Sequence, residues 1–208
     1  MTPVVHAADG SRGEGTFLPV HIQPKWLPPA LADALVGYAI DSEARFRVGT
    51  ILHSGKIMVD EGIRQTLVLD DIGPFQYPLA EAALAFKPTL ETLFGIPPFA
   101  ASSVEIEMAA HGDGAHFRHH IDTCVVVNKR ANPRVLTLVL YLHGPIRRFS
   151  GGALRMHALG SSAVRDIAPM HNRLVAFPSI APHSVQPIAC SSRAFADRRF
   201  AVNIWIHR

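Results

Sequence analysis

Hydrophobic and polar positions follow two different rhythms along the chain. Through about residue 100 the long patterns are helical. Pro28-Pro29 lead into ALADALVGYAI, where Leu31, Leu35, Val36 and Tyr38 make an apolar stripe and predict a helix over 28–44. A second helical pattern, FQYPLAEAALAFKPTLETLF, runs over 75–94; Pro78 suits its first turn, Pro88 is expected to kink or split it, and Gly95 with Pro97-Pro98 close it. Between them, pieces such as KIMVD and RQTLVLD alternate as short strands or extended loop. After residue 100 the period falls to two. SSVEIEMAA alternates, VLTLVLYLH is continuous as in a strand covered on both faces, and ALRMHAL, NRLVAFP, HSVQPI and RFAVNIWIH follow, each bounded by turn residues. Six strand patterns at short spacing predict a sandwich or barrel, backed by the two N-terminal helices.

Composition narrows the function classes. The chain has 208 residues, 48% of them apolar and 18% charged, which fits one folded domain rather than a disordered or coiled-coil chain. Residues 1–16 read as a Gly-rich lead-in, 17–100 as a helical and extended support region, and 101–208 as the β core. Twenty Lys and Arg against 17 Asp and Glu leave a formal charge of +3, too little for a nucleic-acid arm. No apolar run is long enough for a membrane span and no secretory leader is visible, so a soluble, cytoplasmic protein is expected. Cys124 and Cys190 read as free thiols of a reducing compartment. Oligomeric state is not legible. The unusual count is 12 histidines, and spacing has to decide which of them matter.

His120-Ile121-Asp122 is the pair to weigh. In a strand, side chains at i and i+2 share a face, so His120 and Asp122 point at one centre while Ile121 and His119 turn away. His183, brought in from another strand, would complete two imidazoles and one carboxylate, the facial set of non-haem Fe(II) oxygenases, with coordination positions left open. Alone, an HxD pair recurs by chance in a His-rich chain.

The flanking residues change that balance. Gly114, Phe117, His120, Asp122, Thr123, Tyr141-Leu142, Gly151-Gly152, Phe177-Pro178, His183, Val185, Arg199 and Trp205 follow one another in the order of a known pattern. Over about 105–208 the chain resembles the prolyl 4-hydroxylase-like branch of the Fe(II)/2-oxoglutarate dioxygenases. The resemblance implies a mainly β fold with N-terminal helices, its core a double-stranded β-helix of the jelly-roll, cupin-like kind. It implies His120, Asp122 and His183 as iron ligands, and 2-oxoglutarate chelating that iron. Arg199 would anchor the far carboxylate of 2-oxoglutarate, a match of planar guanidinium to carboxylate, helped by Tyr141. Thr137 and Val185 would line the same wall, and Trp205 would pack beside the metal.

Three departures from the pattern stand out. Arg199 follows His183 by sixteen positions, farther than is usual, and Arg193 within the intervening ACSSRAFAD is the rival anchor. His111 stands where relatives often carry a tyrosine that touches 2-oxoglutarate or substrate. His143 replaces the Asn of Tyr-Leu-Asn. Candidates for substrate contact are Arg64, which resembles a family arginine near the entrance, His116, four residues before His120 on the same strand, and Arg155; the loop 123–133 and segment 46–72 are expected to shape that pocket.

The implied activity is hydroxylation of an aliphatic C–H in an amino-acid, peptidyl (prolyl-type) or small natural-product substrate, consuming dioxygen and releasing succinate and CO2, with ascorbate as a supporting reductant. The presence of Asp122 argues against a halogenase, which frees that position. A zinc hydrolase or lyase would use the same three ligands but has no need of Arg199 or Tyr141. A non-catalytic sensing domain of the same fold would not need the intact triad.

Overall fold

A computed structural model describes residues 15–53, 56–123 and 133–208. Cys124 and nearly all of the predicted substrate loop at 123–133 lie outside the described residues.

The strands form two facing antiparallel sheets. The larger has the order β1 (His21–Pro24), β13 (Arg173–Pro178), β9 (Arg134–Leu142), β16 (Arg199–His207), β7 (Ser103–His111), β6 (Leu67–Leu69) and β2 (Arg47–Val48). The smaller has the order β12 (Val164–Ile167), β11 (Leu154–His157), β14 (His183–Val185), β8 (His116–His120) and β5 (Arg64–Gln65). Two short hairpins, β3 (Ile51–His53) with β4 (Lys56–Met58) and β10 (Ser150–Gly151) with β15 (Ile188–Ala189), complete the set. From β7 onward the chain passes repeatedly from one sheet to the other. That is the jelly-roll winding expected, and it places distant sequence motifs on adjacent strands.

Helix α1 (Pro29–Asp41) begins with proline in its first turn, where no N–H is needed, and buries Ala32, Leu35, Val36 and Ala39. Helix α2 (Gln76–Phe94) is continuous, so of the expected kink or split at Pro88 the split does not occur. Pro88 lies on its exposed side, where water can reach the Leu84 carbonyl left without a donor. Gly95, at φ 64°, ends the helix in the left-handed conformation, and Ile96 N–H closes on the Glu91 carbonyl at 2.9 Å.

Both helices cover the outer face of the larger sheet. Leu136, Leu138, Leu140 and Leu142 of β9 and Phe200, Val202, Ile204 and Ile206 of β16 meet Leu35, Leu79 and Leu90 there. Each such side chain stabilises by about 1.5–3 kcal/mol when fully buried. The alternate residues of these strands face the space between the sheets. The support region is not a separate layer: β1, β2 and β6 extend the larger sheet and β5 the smaller one. Thr16, read as lead-in, bridges to Leu159.

Candidate functional site

His183 on β14 lies directly across from His120 on β8, and their rings are 4.2 Å apart between centroids. Asp122 follows β8, fixed by its N–H donating to the Ser179 carbonyl at 2.9 Å. The ligand atoms of His120, Asp122 and His183 all lie within 4.8 Å of one another, the only such group among the described residues. Each histidine Nδ1 meets a backbone carbonyl, Arg118 O at 2.7 Å for His120 and Ala181 O at 2.8 Å for His183. That contact takes Nδ1–H as donor and leaves the Nε2 lone pairs, each 3.6 Å from an Asp122 oxygen, facing inward.

The charge balance suits a cation. Burial pushes the Asp122 carboxyl up, but the His183 and His120 imidazoles outweigh it and hold the carboxyl well below its usual range. The Trp205 indole N–H, turned toward that carboxylate, acts in the same direction without reaching a well-formed hydrogen bond. Burial brings His183 down to about 4, so it is a neutral imidazole, the form that ligates. Thr137 Oγ donates to Asp122 Oδ2 at 2.9 Å and sits 2.9 Å from Ser179 Oγ. Its hydroxyl is therefore engaged with the carboxylate rather than free toward Arg199.

Deeper between the sheets lies Arg199, 1% exposed. Its Nη1 donates to the Gly152 carbonyl at 2.9 Å, its Nε has no partner, and it has no carboxylate partner among the described residues. Burial lowers it to about 10, still charged at neutral pH. The Tyr141 ring lies 5.2 Å from the guanidinium, and its hydroxyl, pushed up to about 12 by burial, lacks a well-formed hydrogen bond. His111 pairs with Arg199 across β7 and β16; burial first, then the charges of Arg199 and Arg64, hold it neutral, and its Nδ1 is unpartnered. A buried cation beside unsatisfied donors is costly unless an anion completes it. Arg193, by contrast, is exposed and outside any strand.

The substrate candidates divide. Arg64 is brought to the site: its Nη2 pairs with Glu107 Oε1 at 2.6 Å, and its guanidinium lies 5.2 Å from the Phe117 ring. That ring stacks on His120 at 3.6 Å. His116 is not brought in. A β-bulge puts three steps of β8 against two of β14, so Phe117 shares the His120 face in place of His116. His116 instead touches the Gly114 carbonyl at 3.0 Å. Arg155 is also a correction: it pairs in register with Ser184, on the face opposite Met156 and His183, and is tied to Asp166 at 2.7 Å. His119 shares that outer face and packs against His157. Val185 sits on the inner face, across from Leu154 and Phe117.

Sequence reasoning passed over Glu107 and Asn203, which meet at 3.3 Å on the inner face. Strand alternation back from His111 and onward from Arg199 would have found both. No helix among the described residues is long and apolar enough to cross a membrane.

These positions coincide with a known family. A model of the 2OG-Fe(II) oxygenase superfamily matches residues 106–207. An uncharacterized PKHD-type hydroxylase of Synechocystis is 32% identical over 129 residues, 58% of this chain and 42% of that protein. Prolyl hydroxylase EGLN3 of Mus musculus is 32% identical over 97 residues, 45% of this chain and 36% of that one. The match thus spans less than half the length of either curated relative. A Pseudomonas putida prolyl-4-hydroxylase shares the fold at TM-score 0.65 and 23% identity, covering 91% of this chain and 92% of the other. A Trichoplax adhaerens prolyl hydroxylase, solved with a hypoxia inducible factor peptide fragment, does so at 0.62 and 20%, covering 90% and 83%. The winding of the sheets, the His-Asp-His cluster and the matched sequence lead to one family: residues 106–207 belong to the 2OG-Fe(II) oxygenase superfamily and are similar to the prolyl hydroxylases.

Proposed function

We propose that the protein is a 2-oxoglutarate-dependent non-haem iron dioxygenase that hydroxylates an aliphatic C–H of a prolyl-type or related amino-acid substrate, free or in a peptide. 2-Oxoglutarate, dioxygen and R–H give succinate, CO2 and R–OH. The observation that carries this reading is Arg199, a buried guanidinium with no carboxylate partner among the described residues and an unsatisfied Tyr141 hydroxyl beside it. A zinc hydrolase has no use for such a pair.

His120, Asp122 and His183 would hold Fe(II), and the bound iron with 2-oxoglutarate supplies the oxidising chemistry. The residues supply the rest. Arg199 and Tyr141 would hold the far carboxylate of 2-oxoglutarate, with guanidinium N–H and phenolic O–H as donors. Neutral His111 supplies a ring nitrogen to the same compartment without adding charge. Thr137 holds the Asp122 carboxylate in one orientation, and Trp205 covers it. The Arg64–Glu107 pair and Phe117 form the wall on which the substrate rests, which fixes the reacting carbon and excludes water. A peptide substrate is supported by the complex of the Trichoplax relative, and a small natural product is the competing class.

Anaerobic addition of Fe(II) and 2-oxoglutarate should produce a weak visible charge-transfer band that His120→Ala abolishes. Succinate release should rise with the correct substrate in a screen of amino acids, prolyl peptides and small metabolites. No band and no 2-oxoglutarate turnover from folded protein would sink the reading, and metal-dependent turnover without 2-oxoglutarate would favour the hydrolase.

A further inference from the structure

A second space lies between the sheets, away from Arg199. Where edge strand β1 faces edge strand β12, a partly open pocket of about 340 Å³ is lined mostly by Phe17, Leu18, Val20, Ile22, Met156 and Ile167, with Arg165 and Asp166 among them. The charges at its rim are already engaged. Asp166 takes Arg155 through two hydrogen bonds of 2.7 Å, and the Arg165 guanidinium lies 4.2 Å from the Phe17 ring. The rest of the lining is apolar, and it suits a small apolar guest better than a polar one.

One side chain links it to the triad. Met156 lines the cavity and is the register partner of His183 across β11 and β14. Phe177, in the same apolar cluster as Met156, has its ring 4.8 Å from the His183 ring. Cross-strand partners on one face have Cβ atoms about 4.5–5.5 Å apart, so the methionine that lines the pocket also stands beside His183. Methionine is unbranched and readily changes rotamer, which suits a movable partition.

We infer that this lateral cavity admits and holds dioxygen, with Met156 as the partition through which it reaches the triad. The inference rests on the proposed function. Substrate resting on Arg64 and Phe117 covers the other approach, so an apolar diatomic reactant needs a way in from the side.

Xenon, an apolar probe of similar bulk, tests this in the full chain. Xenon NMR should show one saturable site, lost in Val20→Trp, and Val20→Phe is the milder filling variant if the first does not fold. In wild type, which needs no variant, xenon should raise the apparent KM for oxygen of 2-oxoglutarate-driven turnover. The filled variants should raise that KM severalfold while KM for 2-oxoglutarate stays unchanged. Absence of a xenon site, or a KM for oxygen indifferent to both xenon and filling, overturns the inference and leaves the enzyme reading intact. Xenon binding with no 2-oxoglutarate-dependent oxygen uptake overturns the enzyme reading and the dioxygen assignment with it.

Discussion

Strands β9 and β16 present two surfaces of opposite character. Toward the helices they offer Leu136, Leu138, Leu140, Phe200, Val202 and Ile204, all fully buried and apolar. Toward the other sheet they offer Thr137, Tyr141, Arg199, Asn203 and Trp205, among which lie an unmatched guanidinium and an unsatisfied phenol. The two sets alternate residue by residue along the same backbone, yet the first holds the strands in place and the second is left incomplete. Stability and chemistry are thus separated by direction, not by position in the chain. A substitution one residue along should change a different property.

The largest effect expected is from Asp122→Ala, which removes the carboxylate between the two imidazoles; metal binding by titration and turnover should both be lost while the melting temperature of metal-free protein holds. Leu138→Ala, on the opposite face, should cost about 2–5 kcal/mol in denaturant unfolding and leave KM for 2-oxoglutarate unchanged. Equal loss of both properties in either variant would break the separation. Arg199→Lys keeps the charge but loses the planar fork, and the loss of a charge-assisted bond worth about 1.5–3 kcal/mol should raise KM for 2-oxoglutarate at least tenfold with iron affinity retained. Thr137→Val is nearly isosteric and takes away the hydroxyl that bonds Asp122 and Ser179; iron affinity should fall about 10–100-fold, as for other supporting partners of metal ligands. Smallest of all is Arg155→Ala on the outer face, where turnover and melting temperature should stay at wild-type values; a clear loss of turnover would return Arg155 to the substrate pocket.

Much of this is legible in the sequence alone. The period of two in RFAVNIWIH and the unbroken VLTLVLYLH identify the central strands, and the ordered motifs bring His120, Asp122, His183 and Arg199 together. What escaped depends on register and on partners distant in sequence. Counting alternate residues from His120 puts His116 on the inner face, but one extra residue in β8 substitutes Phe117, and nothing in HFRHH marks the bulge. Arg155 reads as a candidate for substrate contact from the sequence alone because its partner Asp166 lies on the neighbouring strand β12. Residues 17–24 carried no strong strand pattern, and β1 exists because β13 offers an edge to pair with. In α2, Lys87 is buried at a helical-core position, made tolerable by its ion pair with Glu91 at 2.6 Å.

The Gly151-Gly152 turn has an outcome for how the protein can change over time. Both residues have positive φ, and a Cβ on Gly152 would come within 2.6 Å of Ile188 Cγ1, while one on Gly151 would strike the Pro187 carbonyl at 2.5 Å. The Gly152 carbonyl is also what steadies the guanidinium of Arg199. Neither glycine has a side chain with which to meet a reactant, yet a lineage that replaced one would shift Arg199, the proposed anchor of 2-oxoglutarate. Descendants free to trade one substrate for another should vary Arg64 and its neighbours long before they vary this silent pair.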